Sequence, residues 1–142
     1  MKGKSRAVLT AGLGTVLSLA MGASAAAVTG LYVGNGSLEL KGLVATVPLT
    51  FTCQSGGTYA GFWSIRQIAQ QRTITEDEIY VGGSCTGERQ TITVRFQPSP
   101  KPFKNGTALV EGYLVCDVVV DPETGETYSC GFANVMEEIR LR

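Results

Sequence analysis

Apolar and polar residues alternate with a period of two along most of this chain, and helical periodicity is scarce. The clearest run is Val47-Pro48-Leu49-Thr50-Phe51-Thr52-Cys53, which places Val47, Leu49, Phe51 and Cys53 on one face and the threonines on the other. Thr91 to Phe96 repeats the pattern with Ile92, Val94 and Phe96 inward. Ala108, Val110, Gly112, Leu114 and Cys116 form a third inward set, and Ile139 and Leu141 a C-terminal one. Weaker strands are predicted at Ser37 to Leu40, Gly61 to Ala69 and Ile74 to Val81. Gly61 to Gln71 has a helical alternative, but its aromatic and β-branched residues favour strand. Pro48 predicts that its strand starts at an edge or a bulge, because proline lacks the N–H a ladder needs.

Turn residues punctuate these runs at Gly34-Asn35-Gly36, Ser55-Gly56-Gly57, Gly82-Gly83-Ser84, Pro98 to Pro102 and Asn105-Gly106. About seven short strands with such spacing predict an all-β, two-sheet antiparallel sandwich of immunoglobulin-like type. A small closed barrel is the alternative. The domain is expected over 37–142, with 26–36 a loose leader.

The first 25 residues predict a secretory signal peptide. Lys2, Lys4 and Arg6 precede an uncharged stretch of 14 residues from Ala7 to Ala20. That is shorter than the ~20 residues a membrane-spanning helix needs. Ala23-Ser24-Ala25 offers small residues for cleavage after Ala25, with Ala26 and Ala27 as alternatives. Removing 25 residues of 142 leaves 117, with nine basic and 12 acidic residues and a formal charge of −3. Secretion, no membrane insertion after cleavage and no nucleic-acid partner are the expectations from this charge and address. The expected state is a monomer whose partner is an extracellular protein or a cell-envelope component.

Histidine is absent from all 142 residues. Ser-His-Asp and Cys-His catalysis and imidazole metal sites are thereby excluded. Neither enzyme activity nor a cofactor nor a metal is expected. Glu76-Asp77-Glu78 does not form a calcium site, since neighbouring strand residues point to opposite faces.

Export makes Cys53, Cys85, Cys116 and Cys130 two disulfides. The turn signal Asp121-Pro122-Glu123-Thr124-Gly125 centres a hairpin near Glu123 and sets Cys116 opposite Cys130, leaving Cys53 for Cys85. The rival pairing joins Cys53 to Cys116 and Cys85 to Cys130. Cys53, Trp63 and Cys116 resemble the Cys…Trp…Cys order of immunoglobulin domains, although Tyr113 stands three residues before the second cysteine where that family has two.

Two surface candidates remain. Pro98, Pro100, Lys101, Pro102, Phe103 and Lys104 form a stiff, extended loop that is suited to entering a partner's cleft, or else is a crossover between sheets. Trp63 is a ligand platform or, as in many sandwiches, a core residue. The functions that follow are an extracellular binding module, an inhibitor of an extracellular enzyme acting through Pro98 to Phe103, and a small-ligand carrier with a cavity between the sheets.

Thr52-Cys53-Gln54, Ser84-Cys85-Thr86-Gly87, Thr91 to Phe96, Pro98 and Asn105 to Glu111 together resemble small secreted actinobacterial proteins of uncharacterised function. The resemblance implies an immunoglobulin-like sandwich and a first disulfide matching Cys53–Cys85. It supplies no catalytic residue. The neocarzinostatin-type carriers are also two-disulfide secreted sandwiches, but their bridges close short loops, unlike a Cys53–Cys85 span.

Overall fold

The computed structural model describes residues 28–68 and 74–142. The expected signal peptide, with its expected cleavage site, lies outside the described residues. Eight strands follow in order: β1 (Thr29–Val33), β2 (Ser37–Glu39), β3 (Val44–Thr52), β4 (Gly57–Ile68), β5 (Ile74–Ser84), β6 (Arg89–Phe96), β7 (Gly106–Asp121) and β8 (Glu126–Leu141). They make two antiparallel sheets. In the first, β3 pairs with β6 on one side and with both β1 and β2 on the other. The second has the order β5-β4-β7-β8. Among the described residues no helix is long and apolar enough to cross a membrane.

Alternation decides which side chains enter the space between the sheets. Val47, Leu49 and Phe51 of β3 and Cys53 just after it are buried, as are Val94 and Phe96 of β6, while Ile92 is half-buried. From the second sheet come Trp63 and Ile65 of β4, Val110 and Leu114 of β7, and Ile139 and Leu141 of β8. Burying such apolar side chains stabilises by about 1.5–3 kcal/mol each, before the entropy of ordering them is subtracted.

Both lateral edges are stitched across the sheets. At one, Gly36 bridges Leu141 in parallel: its N–H donates to the Arg140 carbonyl at 2.9 Å, and its own carbonyl accepts from Arg142 at 3.2 Å. At the other, Glu76 and Ser99 exchange backbone hydrogen bonds of 3.1 and 3.2 Å. These contacts bring the sandwich close to the barrel that is its sequence-level rival.

Three expectations are corrected. The leader expected to be loose holds β1, whose Thr29, Tyr32 and Val33 pair with Thr52, Thr50 and Leu49 of β3. Its backbone groups complete the ladder on that side of β3, and Val33 joins the core. Pro48 is neither at an edge nor at a bulge. It lies where the neighbours of β3 change from β2 to β1, and Gly34 there donates to the Pro48 carbonyl at 2.9 Å. The missing N–H points into that gap, so no ladder bond is lost. The expected hairpin arm and the C-terminal set are one strand: β8 runs on through residues 131–138, for which no strand is expected, and pairs with β7 to Leu141.

The bridges are Cys53–Cys85 and Cys116–Cys130. The hairpin departs by one residue from direct pairing of Cys116 with Cys130. Asp117, Val118 and Val119 face Ser129, Tyr128 and Thr127, as a turn centred near Glu123 requires, but the register shifts by one at Cys116, which faces Gly131. Cys130 is therefore the extra residue of a bulge. The two bridges touch, with the Cys85 and Cys116 sulfurs 4.0 Å apart.

Among the described residues, the buried polar atoms Trp63 Nε1 and Thr75 Oγ1 have no hydrogen-bond partner. Thr75 is fully buried on β5, and an unpaired buried hydroxyl costs about 1–3 kcal/mol. Thr75→Val keeps the shape and removes the orphan. It is expected to raise unfolding free energy by about 1 kcal/mol. A lower urea midpoint in the variant would show that the hydroxyl is satisfied after all.

Candidate functional site

The proline-rich segment is the crossover from β6 in the first sheet to β7 in the second. Pro100, Lys101, Pro102 and Lys104 are exposed and Pro98 is half-buried, but Phe103 is only 2% exposed and belongs to the core. This corrects the reading of Phe103 as a partner contact: its ring is already occupied inside the fold. Gly42 makes that insertion possible. Its φ of +88° lies in the left-handed region, and a Cβ there would strike the Phe103 carbonyl oxygen. The Phe103 N–H donates to the Gly42 carbonyl at 2.9 Å.

Gln67, which the sequence pattern does not single out, holds the other end of the crossover. Its buried amide donates to the Lys104 carbonyl at 2.7 Å and the Thr107 carbonyl at 3.3 Å, and accepts from the Lys104 N–H at 2.8 Å. Asp77 accepts from the Gln97 N–H at 2.7 Å. The acidic run of β5 thus splits by face. Asp77 secures the crossover, Glu76 pairs with exposed Arg66 at 3.3 Å, and Glu78 faces outward. These roles follow from alternation, which prevents the three acids from converging.

Trp63 is 1% exposed, so the platform reading is corrected in favour of the core. A β-strand that turns Trp63 and Ile65 inward must turn Phe62 and Ser64 outward. Across the second sheet the outward positions assemble an aromatic row. Phe62 pairs with Tyr80 of β5 in edge contact at 5.2 Å, lies 6.4 Å from Tyr113 of β7, and Tyr113 stacks at 6.0 Å on Phe132 of β8. Phe62, Tyr80, Phe132 and neighbouring Met136 are 46–63% exposed. A contiguous exposed apolar surface of this kind marks an interaction site more often than scattered hydrophobics do.

An acidic row borders the aromatic one. Ser64 pairs with Glu78 on one side and with Glu111 on the other, and Glu111 pairs with Met136. Aromatic rings and carboxylates together flank a groove of about 500 Å³ on this outer face, where Glu78 and Glu111 are the charged lining residues among those described. Among the described residues the ion pairs are Arg66–Glu76 and Arg95–Glu39, and neither takes up Glu78 or Glu111.

On the inner side Tyr59 packs edge-on against Phe51 at 4.9 Å, and burial raises its phenol pKa by disfavouring the phenolate. Tyr59 therefore supports the fold below its ordinary pKa, and that support fades as pH climbs through the raised value. The sulfurs of Cys53, Cys85 and Cys116 lie within 4.8 Å of one another, but both cysteine pairs are oxidised, so no thiolate is present there to hold a metal.

No protein-family model, curated protein or solved structure matches this chain. The signal for Phe62, Tyr80 and Tyr113 was available in the alternation, as the outward partners of inward sets. Phe132 and Met136 were hidden because the local pattern beyond the hairpin arm that ends at Cys130 predicts no strand over residues 131–138.

Proposed function

We propose that this chain is a secreted bacterial module of immunoglobulin-like type, not an enzyme, that binds an extracellular protein or a cell-envelope component. Its working surface is the outer face of the second sheet. The observation that carries this reading is the outward aromatic row of exposed Tyr80, Phe62 and Phe132 with half-buried Tyr113, spanning four strands. Aromatic side chains and methionine are enriched in binding surfaces because they bury much apolar area at small entropic cost. Two disulfides suit an oxidising compartment, and they fix the sheet so that little order need be gained on binding.

The inhibitor reading loses its apolar anchor with Phe103 buried, and keeps only Lys101 and Lys104 as exposed cations. The carrier reading draws no support from a core occupied by Trp63, Phe51, Phe96 and Phe103.

The test is retention of the mature protein on cell-wall and extracellular-matrix fractions. Phe62→Ala with Tyr113→Ala is expected to lower retention by at least about tenfold while leaving the melting temperature within a few degrees, because surface truncations cost little stability. Lys101→Ala with Lys104→Ala is expected to change neither. Loss of binding in the lysine pair alone would transfer the function to the crossover, and no retention of the wild type by any fraction would sink the module reading.

A further inference from the structure

We infer that the occupant of the aromatic face is a basic, amphipathic helical segment, one that carries Lys or Arg beside an apolar stripe. This rests on the reading of that face as the working surface and adds the chemistry of what it takes.

Three observations point to it. The first is charge. Glu78 and Glu111 stand on either side of Ser64 beside the aromatic row, and no basic residue lines the groove among the described residues. Arg66, the nearest cation of β4, is already committed to Glu76 at 3.3 Å. An anionic partner such as a phosphate-bearing polymer or lipid would be repelled. A second copy docking face to face would bring like charges together, which is disfavoured for the same reason.

The second is the material of the floor. Phe62, Tyr80, Tyr113, Phe132 and Met136 offer π-faces and a polarisable thioether. Ammonium and guanidinium groups are attracted to aromatic faces, and their alkyl stems cover apolar surface while the charged head reaches out to a carboxylate. Methionine adapts its shape to an irregular apolar partner. A neutral polar ligand would use the rings and leave both carboxylates without ionic partners.

The third is size. Four strands span about 14 Å between the outer two strand axes, close to the ~10–12 Å diameter of one helix with its side chains. One segment fits, whereas a globular partner of standard interface size would need more surface.

The experiment uses the mature full chain and two synthetic probes: an amphipathic Leu/Lys helix of about five turns, and its Leu/Glu counterpart. Titration calorimetry at low and at physiological salt reads the affinities. The Leu/Lys probe is expected to bind and to weaken with salt. Glu78→Gln with Glu111→Gln is expected to weaken it by at least about tenfold, and Phe62→Ala with Tyr113→Ala by a similar factor. Glu123→Gln with Glu126→Gln, which removes the same charge from the hairpin tip, is expected to leave it unchanged. Equal binding of the Leu/Glu probe, equal loss in the hairpin-tip pair, tighter binding of a neutral cello-oligosaccharide, or self-association through this face would each overturn the inference. If envelope retention depends on Phe62 and Tyr113 but the Leu/Lys probe is ignored, the basic-segment assignment fails and the module reading stands. If neither envelope fractions nor the probe are bound, both fall.

Discussion

Trp63→Ala is expected to lower the unfolding free energy by about 3–5 kcal/mol, a large share of the 5–15 kcal/mol typical of a domain this size. Trp63 is the largest fully buried side chain, and it sits at the centre of the second sheet, paired with Ile79 on one side and Gly112 on the other. The position opposite is glycine because the indole lies over it. A Cβ on Gly112 would come within 2.6 Å of both Trp63 Cε3 and the Phe62 carbonyl oxygen. Neither backbone can retreat without disturbing the ladder, so truncation of the ring leaves a cavity that relaxes only in part. Nε1, which has no partner among the described residues, reduces the loss somewhat, since its desolvation cost disappears with the ring. Urea titration followed by far-UV circular dichroism measures the change. A midpoint shift worth less than about 1 kcal/mol would mean that the ring is not the keystone of this core.

Opening the disulfides is the second large effect. The Cys53–Cys85 bridge closes a separation of 32 residues and Cys116–Cys130 one of 14. Restriction of the unfolded chain then gives about 4 kcal/mol for the first and about 3 kcal/mol for the second. Replacing Cys53 and Cys85 by alanine is expected to lower stability more than replacing Cys116 and Cys130. The first bridge ties the end of β3 in one sheet to the residue following β5 in the other, whereas the second lies within one hairpin whose ladder persists without it. Because the sulfurs of Cys85 and Cys116 are in contact at 4.0 Å, the four-alanine variant is expected to deviate from the sum of the two pairs. Guanidinium unfolding of the three variants under non-reducing conditions checks the order. Equal losses for the two bridges would refute the assignment of the greater loss to the longer loop.

The alternation is strict where one face is buried and the other is wet, and there it fixes each side chain's destination. Val47, Leu49 and Phe51 in β3, Cys53 just after it, and Ala108 to Cys116 in β7 could be read for this reason. β8 escaped detection over residues 131–138 because its inward positions there include Ala133, Val135 and Glu137, a weak apolar signal, and because the bulge at Cys130 shifts the alternation where the expected hairpin arm ends. β1 escaped because Gly30, with a φ of +62°, and the turn at 34–36 look like a linker until β3 supplies a partner. The site was half legible. Turning Trp63 inward implies Phe62 outward, but that Phe62, Tyr80, Tyr113 and Phe132 form one row depends on the order β5-β4-β7-β8, which no local pattern encodes.

By itself the sequence determined the all-β class, the inward sets, the absence of any imidazole chemistry and a hairpin turn that sets Cys116 near Cys130. These are consequences of local rules: side-chain period, turn geometry and the presence or absence of a functional group. Only the tertiary structure decided that Phe103 belongs to the core and not to a partner, and that an aromatic surface borders two outward carboxylates. Strand order and register are set by packing between segments distant in the chain. Whether a hydrophobic side chain is buried or displayed is therefore settled by what folds back over it.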